Sequence, residues 1–235
     1  MPPHAGFATE GNGRAIPSER PYVDEGVVVA EFEQDRDLLI RLWRMWSKRA
    51  AELSDEQWTT ETRLTGWTVR DVYVHVTPDV LIAMLAAPAA DGAAKVTSAS
   101  EMLRVFNADP AATEPLHAQL AEMVRQMAAD VDRGTIVERF ETELPDAFER
   151  LTGLSRDSVI AHPILESVSL GAFLDMAILE ATVHWLDVID AVGGDEPEPM
   201  ALERARDVLA AVADPLAFIE AASGRSTGAV LPVMR

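Results

Sequence analysis

The chain has 235 residues, with 39 acidic against 20 basic side chains and a formal charge of −19. Such a length predicts one domain of ordinary size with a substantial core, and the charge repels phosphate backbones and anionic lipid, so neither nucleic acid nor a membrane surface is an expected partner. Cysteine is absent, which excludes a disulfide framework, a zinc ribbon, an iron–sulfur site and a thiolate nucleophile belonging to the protein itself.

Residues 1–28 read as a flexible tail: Pro2, Pro3, Pro17 and Pro21 interrupt it, and no apolar run reaches signal-peptide length. No later stretch supplies the ~20 uncharged apolar residues of a membrane span. A soluble, cytoplasmic protein is the expectation.

From Glu31 to Leu53 the apolar residues Phe32, Leu39, Leu42, Trp43, Trp46, Ala50 and Leu53 recur at helical spacing. Charged residues, Asp35 among them, take much of the remaining surface, and Ser54-Asp55-Glu56 reads as a stop and a short capped turn. A second helix opens at Thr68, with Asp71 completing a capping box, and Val69, Val72, Val76, Val80 and Met84 forming its stripe. Pro78 falls inside that pattern and predicts a kink or break. Residues 86–100 read as a loop. A third helix is expected from Ala111 to Val131, with Leu116, Leu120, Met123, Met127 and Val131 at helical spacing. Residues 136–148 fit either a short helix or an extended piece.

From Leu170 to Val192 nearly every position is apolar, so burial on most sides is expected. Among the polar exceptions, Glu180, His184 and Asp187 share one narrow arc of the helix. Gly193-Gly194 ends it, a last helix spans about 200–213, and a tail without clear pattern follows. No period-two alternation is long enough to build a sheet. The fold class predicted is therefore all-α, an antiparallel four-helix bundle over residues 29–215, with 216–235 as a C-terminal tail and no separate C-terminal domain.

Glu180 and His184, one turn apart, can bind the same divalent ion. Alternatively they close a Glu–His hydrogen bond completed by an Arg or Tyr from another helix. An unpaired charge in so apolar a helix is costly, so either way a partner is required. An antiparallel bundle can bring His75 opposite His184, giving two histidines and one carboxylate with open positions, the pattern of catalytic metals. Asp187 either accepts the second N–H of His184 or is solvated at the helix end. Asp71 reads as a cap, and Asp79 as an outer contact or base at the site. His4 and His117 attract no functional reading, His162 reads as loop-solvated with the pocket mouth as its alternative, and Trp58 and Trp67 read as packing. The apolar faces of this helix exceed what one bundle core covers, which makes a homodimer an expectation.

The run Gly66-Trp67-Thr68-Val69-Arg70-Asp71-Val72-x-x-His75, followed by Glu180-x-x-x-His184-x-x-Asp187, resembles the DinB-like superfamily, in particular the branch that includes mycothiol-dependent maleylpyruvate isomerase. The similarity spans roughly residues 30–215. It implies a DinB-like four-helix bundle, with His75, Glu180 and His184 holding a divalent metal, zinc first and nickel second, and a low-molecular-weight thiol such as mycothiol as cofactor. Three departures stand out: about forty residues follow Gly194 where longer members carry a further domain, Ala177-Ile178-Leu179 stands where many relatives have an Arg shortly before the Glu, and Pro78, soon after His75, is unusual and is expected to shift that ligand.

Metal coordination makes a thiolate or hydroxide available at neutral pH, so a chain without cysteine can still perform thiolate chemistry with a thiol from outside. The function expected is an S-transferase or isomerase acting on a small electrophile, with Asp187 and Asp79 as candidate catalytic residues. The alternatives are a non-catalytic helix bundle that binds a small ligand or metal, and a metal-dependent hydrolase.

Overall fold

A computed structural model describes residues 25–86 and 92–226 of the chain. Most of the tail expected over 1–28 and residues 227–235 lie outside the described residues. The stripe read from 31 to 53 is buried as one face, with Phe32, Leu39, Leu42, Trp43, Trp46 and Ala50 on helix α1 (Glu25–Glu52) and Leu53 just beyond it. Asp35 departs from its reading as surface charge: it is 1 % exposed, because two arginines distant in sequence reach it. Ser54 and Gln57 form the capping box of a short helix, α2 (Asp55–Trp58).

Helix α3 (Val69–His75) starts where Thr68 and Asp71 cap it reciprocally. It stops at His75 because Pro78 has no N–H to give the Val74 carbonyl; the Thr77 hydroxyl donates to that carbonyl instead, at 3.1 Å. The chain restarts as α4 (Asp79–Ala86) with a new phase, so Leu81 and Met84 turn inward and Val80, expected in the core, is exposed.

Helix α5 (Ala99–Asn107) occupies ground read as loop or left unassigned. Its signal was present, since Ser98 caps the Glu101 N–H and the Glu101 carboxylate accepts from the Thr97 N–H. Helix α6 (Pro110–Asp130) forms as expected but shows the core a different face: Val124 and Ala128 are buried, while Leu120, Met123 and Met127 are exposed. Helix α6 packs against α3 and α5. The Leu116 and His117 side chains lie outside the described residues. The ambiguous 136–148 segment is helical, within α7 (Arg133–Leu151), and buries Ile136, Phe140, Ala147 and Leu151.

A two-stranded antiparallel hairpin, β1 (Val159–His162) and β2 (Glu166–Ser169), was not foreseen; four residues per strand give alternation too little length to register. The hairpin feeds directly into α8 (Leu170–Val192), which Ser169 caps at one end and Gly193, at φ 69°, terminates at the other. Helix α9 (Pro199–Val212) follows, and then α10 (Pro215–Ala222), in a stretch without clear sequence pattern. The apolar faces of α8 are covered by α1, α3, α5, α9 and β2 of the same chain.

The fold is all-α apart from this hairpin. Helices α1, α3, α7 and α8 meet at an aromatic centre, where Trp46 packs against Tyr73, Phe140 and Trp185 with ring centroids 4.8, 6.4 and 5.3 Å away. The Trp46 indole donates to the Ala181 carbonyl, fixing α1 against the middle of α8. Burial pushes the Tyr73 hydroxyl pKa far up, so it stays protonated in this core. Nearer the start of α8, Arg156 and Arg204 bridge Asp35 of α1 and Asp175 of α8. Gly171 makes room for that network, since a Cβ there would lie 2.9 Å from the Arg156 Nε. Among the described residues, no helix is long and apolar enough to cross a membrane.

Candidate metal centre

The end of α3 and the middle of α8 bring together the three residues expected as ligands. His75 is the last residue of α3, and the break imposed by Pro78 leaves its ring at the edge of the core. Glu180 and His184 project one turn apart from α8. The His75 Nε2 lies 3.4 Å and the His184 Nε2 3.2 Å from the same oxygen, Glu180 Oε2. The two imidazole rings stand perpendicular, with centroids 4.9 Å apart. All three side chains are partly open to solvent.

Asp187 completes the arrangement. Its Oδ2 accepts from the His184 Nδ1 at 2.9 Å, which turns the His184 Nε2 toward Glu180. Its Oδ1 accepts from the Arg63 Nε at 2.6 Å, and the carboxylate itself is almost fully buried. Arg63 was not foreseen. It belongs to a loop without periodicity, and its proximity to Trp67 in sequence is the only local signal. Trp67 comes from the same loop and meets both rings, edge-on to His75 at 5.3 Å and nearly parallel to His184 at 6.4 Å. Its reading as plain packing therefore understates its place.

Charge in this cluster is held by mutual pairing. Burial disfavours the ionised Glu180, but hydrogen bonds from His184 and His75 more than reverse that and hold its pKa well below the usual carboxylate range. Burial likewise disfavours imidazolium at His184, yet the hydrogen bonds to Asp187 and Glu180 push its pKa up to about 9. Pairing with a carboxylate at each ring nitrogen thus favours the imidazolium form of His184.

The donor set suits a divalent cation. Two imidazole nitrogens and one carboxylate oxygen lie within 4.8 Å of one another. A tetrahedral ion with ligands at about 2.0–2.1 Å sets neighbouring ligand atoms about 3.3 Å apart. The two spacings to Glu180 Oε2, 3.4 and 3.2 Å, already have that length. Among the described residues this is the one group of His, Asp and Glu side chains so arranged.

Asp79 is engaged with other partners. Its Oδ2 accepts from the Thr77 hydroxyl and from Arg139 of α7, and no hydrogen bond of Asp79 runs to His75, Glu180 or His184. Asp71 caps α3. His162 has a structural part: its Nδ1 accepts the N–H groups of Ile164 and Leu165, closing the hairpin turn, and burial lowers its pKa. Trp58 packs on Tyr73. His4 lies outside the described residues.

Comparison with known families matches residues 39–189, well over half of the chain, to the mycothiol maleylpyruvate isomerase N-terminal domain, a DinB-like fold. The matched span contains His75, Glu180, His184 and Asp187. No curated protein and no solved structure matches the chain.

Proposed function

The chain belongs to the mycothiol maleylpyruvate isomerase N-terminal domain family, and from that premise we propose that it is a cytoplasmic, metal-dependent enzyme that uses a low-molecular-weight thiol of the mycothiol type. The reaction is S-transfer to, or thiol-assisted isomerisation of, a small electrophile. One observation carries this reading: His75, Glu180 and His184 converge from two helices on one point, in a chain with no cysteine.

Zinc is the first candidate for this donor set and nickel the second. A divalent cation held by these three side chains would lower the pKa of a coordinated thiol and so supply a thiolate at neutral pH. The protein's own residues do the rest. Glu180 offers the single anionic ligand, leaving a net positive centre once an ion is bound. Asp187 fixes the His184 ring so that its Nε2 faces the centre. Trp67 covers the two rings on one side. Ala177, Ile178 and Leu179 supply no cation on α8, and the cation at the site is Arg63 from the loop before α3.

The test is an assay of zinc-loaded protein with mycothiol and a panel of activated alkenes and alkyl halides. Product formation that needs both metal and thiol is expected. Turnover without thiol would indicate a metal-dependent hydrolase instead, and metal uptake with no turnover a non-catalytic binding protein.

A further inference from the structure

We infer that Arg63 is the positioning residue of the candidate metal centre: it locks the Asp187 carboxylate, and through it the orientation of His184. This rests on the reading of His75, Glu180 and His184 as metal ligands. Four observations lead to it.

Asp187 uses each oxygen once. Oδ2 serves His184 and Oδ1 serves Arg63. Without the second contact, the carboxylate could rotate about its Cβ–Cγ bond and exchange the oxygen it offers the imidazole. It would also be a buried charge with a single partner, an unfavourable arrangement.

No other residue of that helix can take the role. Helix α8 contains neither Lys nor Arg from Leu170 to Val192, so the cation must come from another element.

The loop that delivers Arg63 is built independently of the arginine side chain. The Thr62 N–H and hydroxyl both donate to the Trp67 carbonyl, at 2.8 and 2.9 Å, and the Thr62 hydroxyl oxygen accepts from the Leu64 N–H. Gly66 takes the left-handed turn at φ 74° that closes the loop. Glu61 and Thr68 pair as an isolated bridge at its base. Arg63 itself is half exposed, so trimming it opens no core cavity.

Finally, the same short loop sets Trp67 against both histidine rings. Residues 62–67 thus hold the His184 ring from two sides, through Asp187 at its Nδ1 and through the indole at its face.

The experiment compares wild type with Arg63→Ala, Arg63→Lys, Asp187→Asn and the double variant Arg63→Ala/Asp187→Asn. Cobalt(II) affinity is measured by chelator competition, with circular dichroism as the check on folding. Arg63→Ala is expected to weaken cobalt binding about 10-fold, within the range for losing an outer partner of a ligand. Arg63→Lys is expected to recover part of the loss. In the Asp187→Asn background, removing Arg63 is expected to cost nothing further, because its effect passes through that carboxylate. In the metal-free proteins, ¹⁵N–¹H spectra of the histidine side chains should show the His184 Nδ1–H signal shifted or lost in Arg63→Ala, and the His75 signals unchanged.

Wild-type affinity together with an unchanged His184 signal in Arg63→Ala would overturn the inference. So would a loss that adds in full to that of Asp187→Asn. A wild type that takes up no cobalt or zinc would instead overturn the metal reading beneath it, and the metal-free spectra would still decide whether Arg63 places His184.

Discussion

Two ionic clusters lie on α8, and they differ in what their charges can exchange. Around Asp175, two aspartates meet two arginines. Each arginine touches both carboxylates, the formal charges cancel, and Asp35 is nearly inaccessible. Around Glu180, less than two turns further along, one carboxylate oxygen is shared by two imidazoles and the group stays partly open to solvent. A guanidinium holds its protons at any ordinary pH and offers no lone pair, so the first cluster is closed to chemistry. An imidazole can give up its proton and use the same nitrogen for a metal, so the second is not. What separates a clamp from a site on this helix is the exchangeability of the partners, since both clusters are held by charge.

The closed cluster is expected to show the largest effect on stability. Asp35→Ala removes a buried carboxylate and leaves two part-buried arginines facing one aspartate. It is expected to lower the unfolding free energy by about 3–5 kcal/mol, measured by urea denaturation, while metal uptake per folded molecule stays unchanged. A variant as stable as wild type would show that the network contributes no net stability.

His184→Ala acts at the open end and should do the reverse. Metal affinity is expected to fall by more than about 100-fold, beyond what losing an outer partner costs. The metal-free protein should lose less stability than Asp35→Ala does. Parallel metal titrations and denaturation curves of the two variants check the contrast.

A third cluster sharpens the rule with a smaller effect. Glu143 of α7 lies beside Asp79, with Arg139 as the cation recorded near both. Burial first, and then the Asp79 carboxylate, push the Glu143 pKa up to about 7 from the usual 4.5. A carboxyl whose pKa is raised by folding contributes its stability below about pH 4.5, and loses it as the pH climbs through about 7. Glu143→Gln is therefore expected to flatten the decline of melting temperature between about pH 5 and 7. An unchanged pH profile would remove Glu143 from the account.

How much of this was legible in the sequence follows from how local each feature is. The buried face of α1, the capping boxes at Ser54 and Thr68, and both ends of α8 are set by residues within a turn of each other, and they were readable. Asp35 was misread because its partners lie far along the chain, Arg204 being 169 positions away. The face of α6 differs from the apolar stripe because Leu120, Met123 and Met127 point outward and Val124 and Ala128 inward, so apolar spacing alone does not pick the buried face there. Val80 lost its expected place once Pro78 reset the helix phase.

The candidate site divides in the same way. Glu180, His184 and Asp187 could be grouped by helical spacing alone, and His75 by the motif that precedes it. Arg63 reaches Asp187 only after the 62–67 loop has closed and α3 has docked on α8, and no spacing in the sequence encodes that.

The central claim is that His75, Glu180 and His184 together hold one ion. The most direct measurement is the metal content of the purified chain, before and after reconstitution with zinc or nickel, beside His184→Ala treated identically. About one equivalent per wild-type chain and almost none in the variant is the result this account predicts. Folded wild-type protein that stays metal-free after reconstitution would contradict it.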